Sequence, residues 1–197
     1  MLTALKEEFR ERARFLTSTL HSLGFKPNQV TLLGLFFAVL SSFLYYNGKG
    51  TSYLIPLGGL MFLLSGILDA LDGALAEEYG EVTVFGGILD SAIDRFEEAV
   101  VISSIVLAGL CDVAIGLLAL VSSFSVSYIR SRAEVEGISM INVGIAERAE
   151  RVLILVVASL FQMVDTGVVV LAVASTVTVI QRIAYVAQAG NKASSGS

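Results

Sequence analysis

Four aspartates in one stretch of this chain, DALDGALAEEYGEVTVFGGILDSAIDR, have the type and spacing to do chemistry together: Asp69, Asp72, Asp90 and Asp94. They fall inside or at the edges of two apolar runs, where an isolated charge costs on the order of 3 kcal/mol or more. Asp69 and Asp72 are three residues apart and Asp90 and Asp94 four apart, so each pair occupies one face of a helix. The link from Tyr79 to Thr83 is short, so the two helices run antiparallel and their acidic faces can meet. Converging carboxylates in a dry place form a cage for hard cations, and Mg²⁺ is the usual occupant where a phosphate ester completes the coordination; Mn²⁺ suits the same oxygen donors. Two such ions about 3.5–4 Å apart would clamp an in-line phosphoryl displacement.

The elements that must carry these residues read as membrane helices. The chain has 197 residues, 55% of them hydrophobic and 16% charged, with a mean hydropathy of +0.78. That balance excludes a soluble domain and makes the chain an all-α integral membrane protein. Apolar runs at about 29–46, 53–76, 85–110, 113–129, 152–164 and 167–187 predict six transmembrane helices, the fifth starting near Ile145 ahead of the bilayer. On the third, Asp90 and Asp94 lie roughly 8–14 Å along the helix, just inside the interfacial zone.

Before the first span, Leu2, Leu5, Phe9, Ala13, Leu16, Leu20 and Leu23 recur at three- and four-residue steps, with Lys6, Arg10 and Arg14 on another face. This predicts an N-terminal amphipathic helix that lies on the membrane surface or packs against the bundle. The charged, amphipathic start is not that of a cleavable signal peptide. Gly24 and Pro27 end it, which divides the chain into a juxtamembrane helix over 1–24, a membrane domain over 25–190 and a small flexible tail over 191–197. Of thirteen Lys and Arg residues only Lys49 falls on the side opposite the N-terminus, so both termini and the acidic site face the cytoplasm, in the cell membrane. A single cysteine, Cys111, excludes an internal disulfide, and a single histidine, His21, leaves almost no material for zinc or histidine catalysis. The net charge of -5 argues against nucleic acid as a partner.

The spacing D-x2-D-G-x2-A-x9-G-x3-D-x3-D, filled here by Asp69, Asp72, Gly73, Ala76, Gly86, Asp90 and Asp94, resembles the signature of the CDP-alcohol phosphatidyltransferases. One position departs from it: Glu77 stands where the family usually has Arg. The resemblance implies a transfer of a phosphatidyl-type group from a CDP-linked lipid to a polar alcohol, with release of CMP. It implies two Mg²⁺ ions on Asp69, Asp72, Asp90 and Asp94, with Asp94 also the base on the acceptor hydroxyl. It places Asp69, Gly73, Ala76 and Gly86 at the nucleotide, joined by Asn28 and Thr31 of the PNQVT motif, whose proline and polar residues alone read as ordinary helix capping. It further implies a homodimer among membrane lipids. Nothing in the apolar helices separates CDP-diacylglycerol from an ether-linked CDP-archaeol as donor.

A second set of residues bears on the acceptor. Arg130, Arg132, Arg148, Arg151 and Arg182 come from three helices on the side of the aspartates, among Glu134, Glu136, Glu147 and Glu150 that could neutralise several of them. Arg182 stands out because it sits in an otherwise apolar helix, where a charge requires a partner or a ligand such as phosphate. The stretches SYIRSRAE, ERAER and VIQR are similar to those of the family's phosphatidylinositol-phosphate synthases and their archaeal relatives, which implies inositol 1-phosphate as acceptor. By that resemblance Arg130, Arg151 and Arg182 bind its phosphate, with Arg132 and Arg148 beside them. Glycerol 3-phosphate is the alternative acceptor, and a cation-coupled transporter the alternative class. Against the transporter stands the clustering of the aspartates towards one membrane face.

Overall fold

The computed structural model describes residues 14–51 and 53–194, with side chains as far as residue 189. The first half of the expected amphipathic helix, with Leu2, Leu5, Phe9, Lys6 and Arg10, and the end of the expected tail lie outside the described residues. The described part is all-helical, with no strand: α1 over residues 14–22, α2 Pro27–Tyr46, α3 Leu54–Tyr79, α4 Val84–Leu107, α5 Val113–Val135, α6 Arg148–Leu160 and α7 Val164–Ser194.

Local chemistry sets the boundaries. Pro27 opens α2, where its missing N–H costs nothing, and Gln29 reaches back to accept from the Lys26 N–H at 2.9 Å. Gly80 closes α3 at φ 68, a left-handed conformation, and Thr83 starts α4 by accepting from the Gly86 N–H at 3.0 Å. Asp112 caps α5, accepting from Ala114 and Ile115 at 2.9 and 3.1 Å. The reversal between Tyr79 and Val84 makes α3 and α4 antiparallel, as expected.

The two acid-bearing helices touch each other little. Instead α2 packs against both, α6 against α3, and α5 against α7. Tyr45, Phe62, Val101, Ile105, Leu155, Val168 and Leu171 fill the centre. The approach of α6 to α3 depends on Gly59, where an added Cβ would lie 2.7 Å from the Ser159 Cβ. Large apolar side chains such as Phe36, Phe43, Leu107, Val121 and Val173 point outward, a surface suited to lipid rather than water.

Among the described residues, four helices are long and apolar enough to cross a membrane: Pro27–Tyr46, Leu54–Tyr79, Val113–Val135 and Val164–Ala189. The other two apolar runs differ for distinct reasons. α4 has 24 residues, ample length, but it carries Asp90, Asp94, Arg95, Glu97 and Glu98. α6 has 13 residues, about 20 Å, against a hydrocarbon core of about 30 Å.

The start of α6 falls at Arg148 rather than near Ile145. The Thr178 hydroxyl of α7 accepts from the N–H groups of Ile145 and Ala146 at 3.2 and 3.0 Å, which docks this non-helical stretch against α7. Gly144 makes this docking possible: it sits at φ +115, and a Cβ there would lie 2.3 Å from the Thr178 Cγ2.

α1 lies against the end of α3. Buried Thr17 donates to Glu78 Oε2 at 2.6 Å, and the His21 ring stacks on Tyr79 with centroids 3.7 Å apart.

Candidate active site

Asp69 and Asp72 from the last turns of α3 meet Asp90 from the second turn of α4, with one carboxylate oxygen of each within 4.8 Å of the other two. Asp72 is buried, and Thr31 of α2 donates to its Oδ2 at 2.5 Å. That bond uses the position of α2 against both other helices, and it fixes the orientation of the carboxylate. Asp90 Oδ1 is buried with no hydrogen-bond partner among the described residues. Three hard oxygen donors at this separation, one orphaned and all costly to leave charged and unpaired, fit a divalent cation such as Mg²⁺ or Mn²⁺.

Asp94, one turn further along α4, stands outside this trio. Its Oδ2 lies 3.3 Å from Arg95 Nη1, and its Oδ1 lies 3.0 Å from Arg148 Nη2, close but out of hydrogen-bonding alignment. Asp94 lines one of two cavities in this region, and Asp90, a turn earlier on α4, lines the other.

The first cavity opens beside the aspartate trio. Asn28, Thr31, Asp72, Gly73, Ala76, Gly86 and Asp90 line it, with Glu77, Glu81 and Thr83. All of the residues expected at the nucleotide except Asp69 are among them. Gly73 faces open space, since an added Cβ would meet nothing within 4 Å. Gly86 has another use, because a Cβ there would meet Thr83 Oγ1 at 2.9 Å and Asn28 Oδ1 at 3.1 Å. Its lack of a side chain lets Asn28 close against the first turn of α4.

The second cavity begins at Asp94 and is lined by Arg130 of α5, Arg148 and Arg151 of α6 and Arg182 of α7, with Glu98, Ser127 and Glu147. The structure brings together four of the five expected arginines. Arg132 is not at the cavity; its side chain is 60% exposed and pairs with Glu136 at 2.5 Å, one turn along α5.

The four differ in how they are held. Arg151 makes a two-point pair with Glu98, Nε to Oε1 at 2.6 Å and Nη2 to Oε2 at 2.9 Å, and also donates to the Ala146 carbonyl. Arg182 donates to the carbonyls of Val143 at 2.8 Å and Val126 at 2.6 Å and lies 3.3 Å from Glu147 Oε1. This charge in an apolar helix thus has protein partners, and it ties the 137–147 segment to α5 and α7. Arg130 pairs with Glu134 at 2.9 Å on its own helix.

Arg148 reaches across to Asp69, Asp94 and Glu97, the last at 2.6 Å, while Ser65 also donates to Glu97 at 2.9 Å. Glu97 and Glu98 thus serve as inter-helix partners between α4 and α6. Thr83 and Glu81 in the first cavity and Thr178 behind the arginine segment lie outside the sequence motifs. For Thr83 the signal was present: a threonine directly ahead of an apolar run is a helix N-cap, and the cap lies beside the acidic motif.

Comparison with known proteins settles the class. The family model for CDP-alcohol phosphatidyltransferases matches residues 25–180, so the chain belongs to the CDP-alcohol phosphatidyltransferase family and is a membrane transferase. The archaetidylinositol phosphate synthase of Pyrococcus horikoshii is 40% identical over 183 residues, 93% of this chain and 95% of that one. That of Methanothermobacter thermautotrophicus is 38% identical over 181 residues, covering 89% and 90%. Among solved structures, the Mycobacterium tuberculosis phosphatidylinositol phosphate synthase with CDP-DAG bound superposes with a TM-score of 0.76 at 29% identity, over 88% of this chain and 92% of that one. The same enzyme in complex with manganese and citrate gives a TM-score of 0.77, over 88% of both chains.

Proposed function

We propose that this enzyme transfers a lipid phosphate group from a CDP-lipid, CDP-archaeol or CDP-diacylglycerol, to a hydroxyl of inositol 1-phosphate and releases CMP. The observation that carries this reading is a pair of cavities lined from neighbouring turns of α4, one by Asp90 and the other by Asp94. One holds the family's nucleotide motif, and the other draws arginines from three helices. The archaeal relatives' names support the acceptor, and the neighbour solved with CDP-DAG supports the donor.

In this reading Asp69, Asp72, Asp90 and Asp94 hold two divalent ions, Mg²⁺ or Mn²⁺. When bound, the ions supply charge neutralisation at the diphosphate. Asn28, Thr31, Gly73, Ala76 and Gly86 line the nucleotide. Arg130, Arg148, Arg151 and Arg182 present the acceptor phosphate, and the fixed pairs of Arg151 and Arg182 keep the floor of that cavity rigid. Arg132, at the exposed end of α5, adds positive charge outside the cavity. The acceptor hydroxyl oxygen forms a bond to the lipid-side phosphorus, the bond from that phosphorus to the CMP oxygen breaks, and Asp94 takes the hydroxyl proton. Proton acceptance of this kind contributes about 10²–10⁴-fold.

The domain over 25–190 crosses the membrane six times in this proposal. α4 spans with its charged face turned to the site, and α6 completes its short span with the turn into α7. Lys49 supports the orientation: its Nζ lies 2.8 Å from where a Gly109 Cβ would be, which joins the α2–α3 and α4–α5 turns at the end away from the site. Both termini and the site then face the cytoplasm, where CDP-activated precursors are made, and the chain pairs as a homodimer.

The test is CMP release by detergent-purified protein with Mg²⁺ and a CDP-lipid, comparing inositol 1-phosphate, free inositol, glycerol 3-phosphate and serine. Release with inositol 1-phosphate alone is the expected result. Release with glycerol 3-phosphate in its place keeps the chemistry and overturns the acceptor.

A further inference from the structure

One side chain belongs to both halves of the site. Arg148, the first residue of α6, lines the arginine cavity, yet its guanidinium also bridges α3 and α4: Nη1 bonds Asp69 Oδ2, while Nη2 lies 3.0 Å from Asp94 Oδ1 and 2.6 Å from Glu97 Oε2. Asp69 is a member of the carboxylate trio, and Asp94 is among the residues that line the arginine cavity. A guanidinium is always charged and presents its donors as a rigid planar fork. It cannot keep both Asp69 and Asp94 and at the same time grip a phosphate with the same edge.

We propose that Arg148 is an exchangeable counter-cation of the aspartate site, so that divalent-ion binding and acceptor-phosphate binding are coupled through this one guanidinium. The proposal rests on the reading of the aspartates as the metal site. An ion that takes Asp69 Oδ2 displaces Nη1 from it, and the fork is released towards the cavity it already lines. A phosphate that holds the fork in that cavity clears Asp69 for the ion. By linkage each ligand tightens the other by the same factor, and couplings between sites typically run about 5–150-fold. The other cavity arginines are not built for this. Arg151 is committed to Glu98, Arg182 to two backbone carbonyls, and Arg130 to Glu134.

The experiment is a titration of the full-length protein in detergent with Mn²⁺, read by electron paramagnetic resonance. It is run alone and with saturating inositol 1-phosphate, glycerol 3-phosphate or free inositol. In the wild type, a phosphorylated acceptor lowers the Mn²⁺ Kd about fivefold or more, and free inositol does not. Arg148→Gln binds Mn²⁺ at least about fivefold tighter without acceptor and shows almost no acceptor effect. Arg130→Gln keeps the wild-type Kd without acceptor, which separates the specific contact from general positive charge. Should Arg148→Gln fail to fold, Arg148→Lys keeps the charge but cannot span Asp69 and Asp94, and tighter Mn²⁺ binding is expected again.

An Mn²⁺ Kd in the Arg148 variants equal to or weaker than that of the wild type overturns the proposal. So does an acceptor effect that persists in them, or a wild type that responds to neither phosphate. A response to glycerol 3-phosphate but not to inositol 1-phosphate supports the coupling and overturns the acceptor assignment alone. Wild type and Asp72→Asn both failing to bind Mn²⁺ would bring down the metal reading and the coupling with it.

Discussion

Arg151 of α6 and Glu98 of α4 form a buried two-point ion pair, with Nε 2.6 Å from Oε1 and Nη2 2.9 Å from Oε2. The pair joins α4, which carries Asp90 and Asp94, to α6, whose Arg148 and Arg151 line the arginine cavity, so it sets the distance between the two halves of the site. Removing one partner leaves the other charge buried and alone. Glu98→Gln is therefore expected to destabilise the protein by about 3–5 kcal/mol. Thermal unfolding in detergent measures this, and a double change, Glu98→Leu with Arg151→Met, should recover most of the stability but not the turnover.

Thr31→Val removes the donor that holds Asp72 at 2.5 Å while keeping the side-chain volume. Partners that orient a metal ligand are typically worth about 10–100-fold in metal affinity or activity. Mn²⁺ affinity should fall by a factor in that range. Thr31→Ser, which keeps the hydroxyl, should stay near the wild type.

Asp94→Asn preserves shape and removes the proton acceptor. CMP release should drop at least about 100-fold in a protein whose melting temperature is little changed. A near-normal rate would take Asp94 out of the role of base.

Two glycines should respond in opposite ways. Gly144→Ala places a Cβ against Thr178 at a positive φ and should cost about 1–3 kcal/mol of stability. Gly73→Leu meets nothing within 4 Å of its Cβ, so the fold should survive while the side chain fills the nucleotide cavity. Its signature is a raised KM for the CDP-lipid.

Glu77 lines the cavity proposed for the nucleotide, at the position where the family usually has arginine. Its charge opposes the diphosphate, which leaves binding more dependent on the ions. Glu77→Arg should lower the Mg²⁺ concentration for half-maximal CMP release; an unchanged Mg²⁺ dependence would count against this account.

The acidic motif was legible in the sequence because helical periodicity puts Asp69 with Asp72 and Asp90 with Asp94, and a short link folds the two faces together. The helices were legible because lipid-facing and core-facing residues are both apolar, so each long apolar run stands out. The same uniformity hid the neighbours: composition does not tell that α2 lies between α3 and α4, and so the bond from Thr31 to Asp72 could not be derived from spacing. The start of α6 at Arg148 rather than near Ile145 is not legible locally, because residues 144–146 are held in a non-helical conformation by docking on Thr178, more than thirty residues away.

Sequence alone determined the four aspartates, their two shared helix faces and the pool of arginines, since these depend on residue type and local spacing along single helices; the class of chemistry and the nucleotide motif came with the resemblance to the family. Only the tertiary structure decided which of those charges are already spoken for. Arg132 turns away to Glu136, Arg151 is paired with Glu98, Arg182 is tied to backbone carbonyls, and Arg148 reaches past its own cavity into the aspartates. The reason is physical: a long charged side chain in a dry bundle takes whichever oxygen the packing brings within reach, and that choice depends on how helices distant in the chain are set against one another.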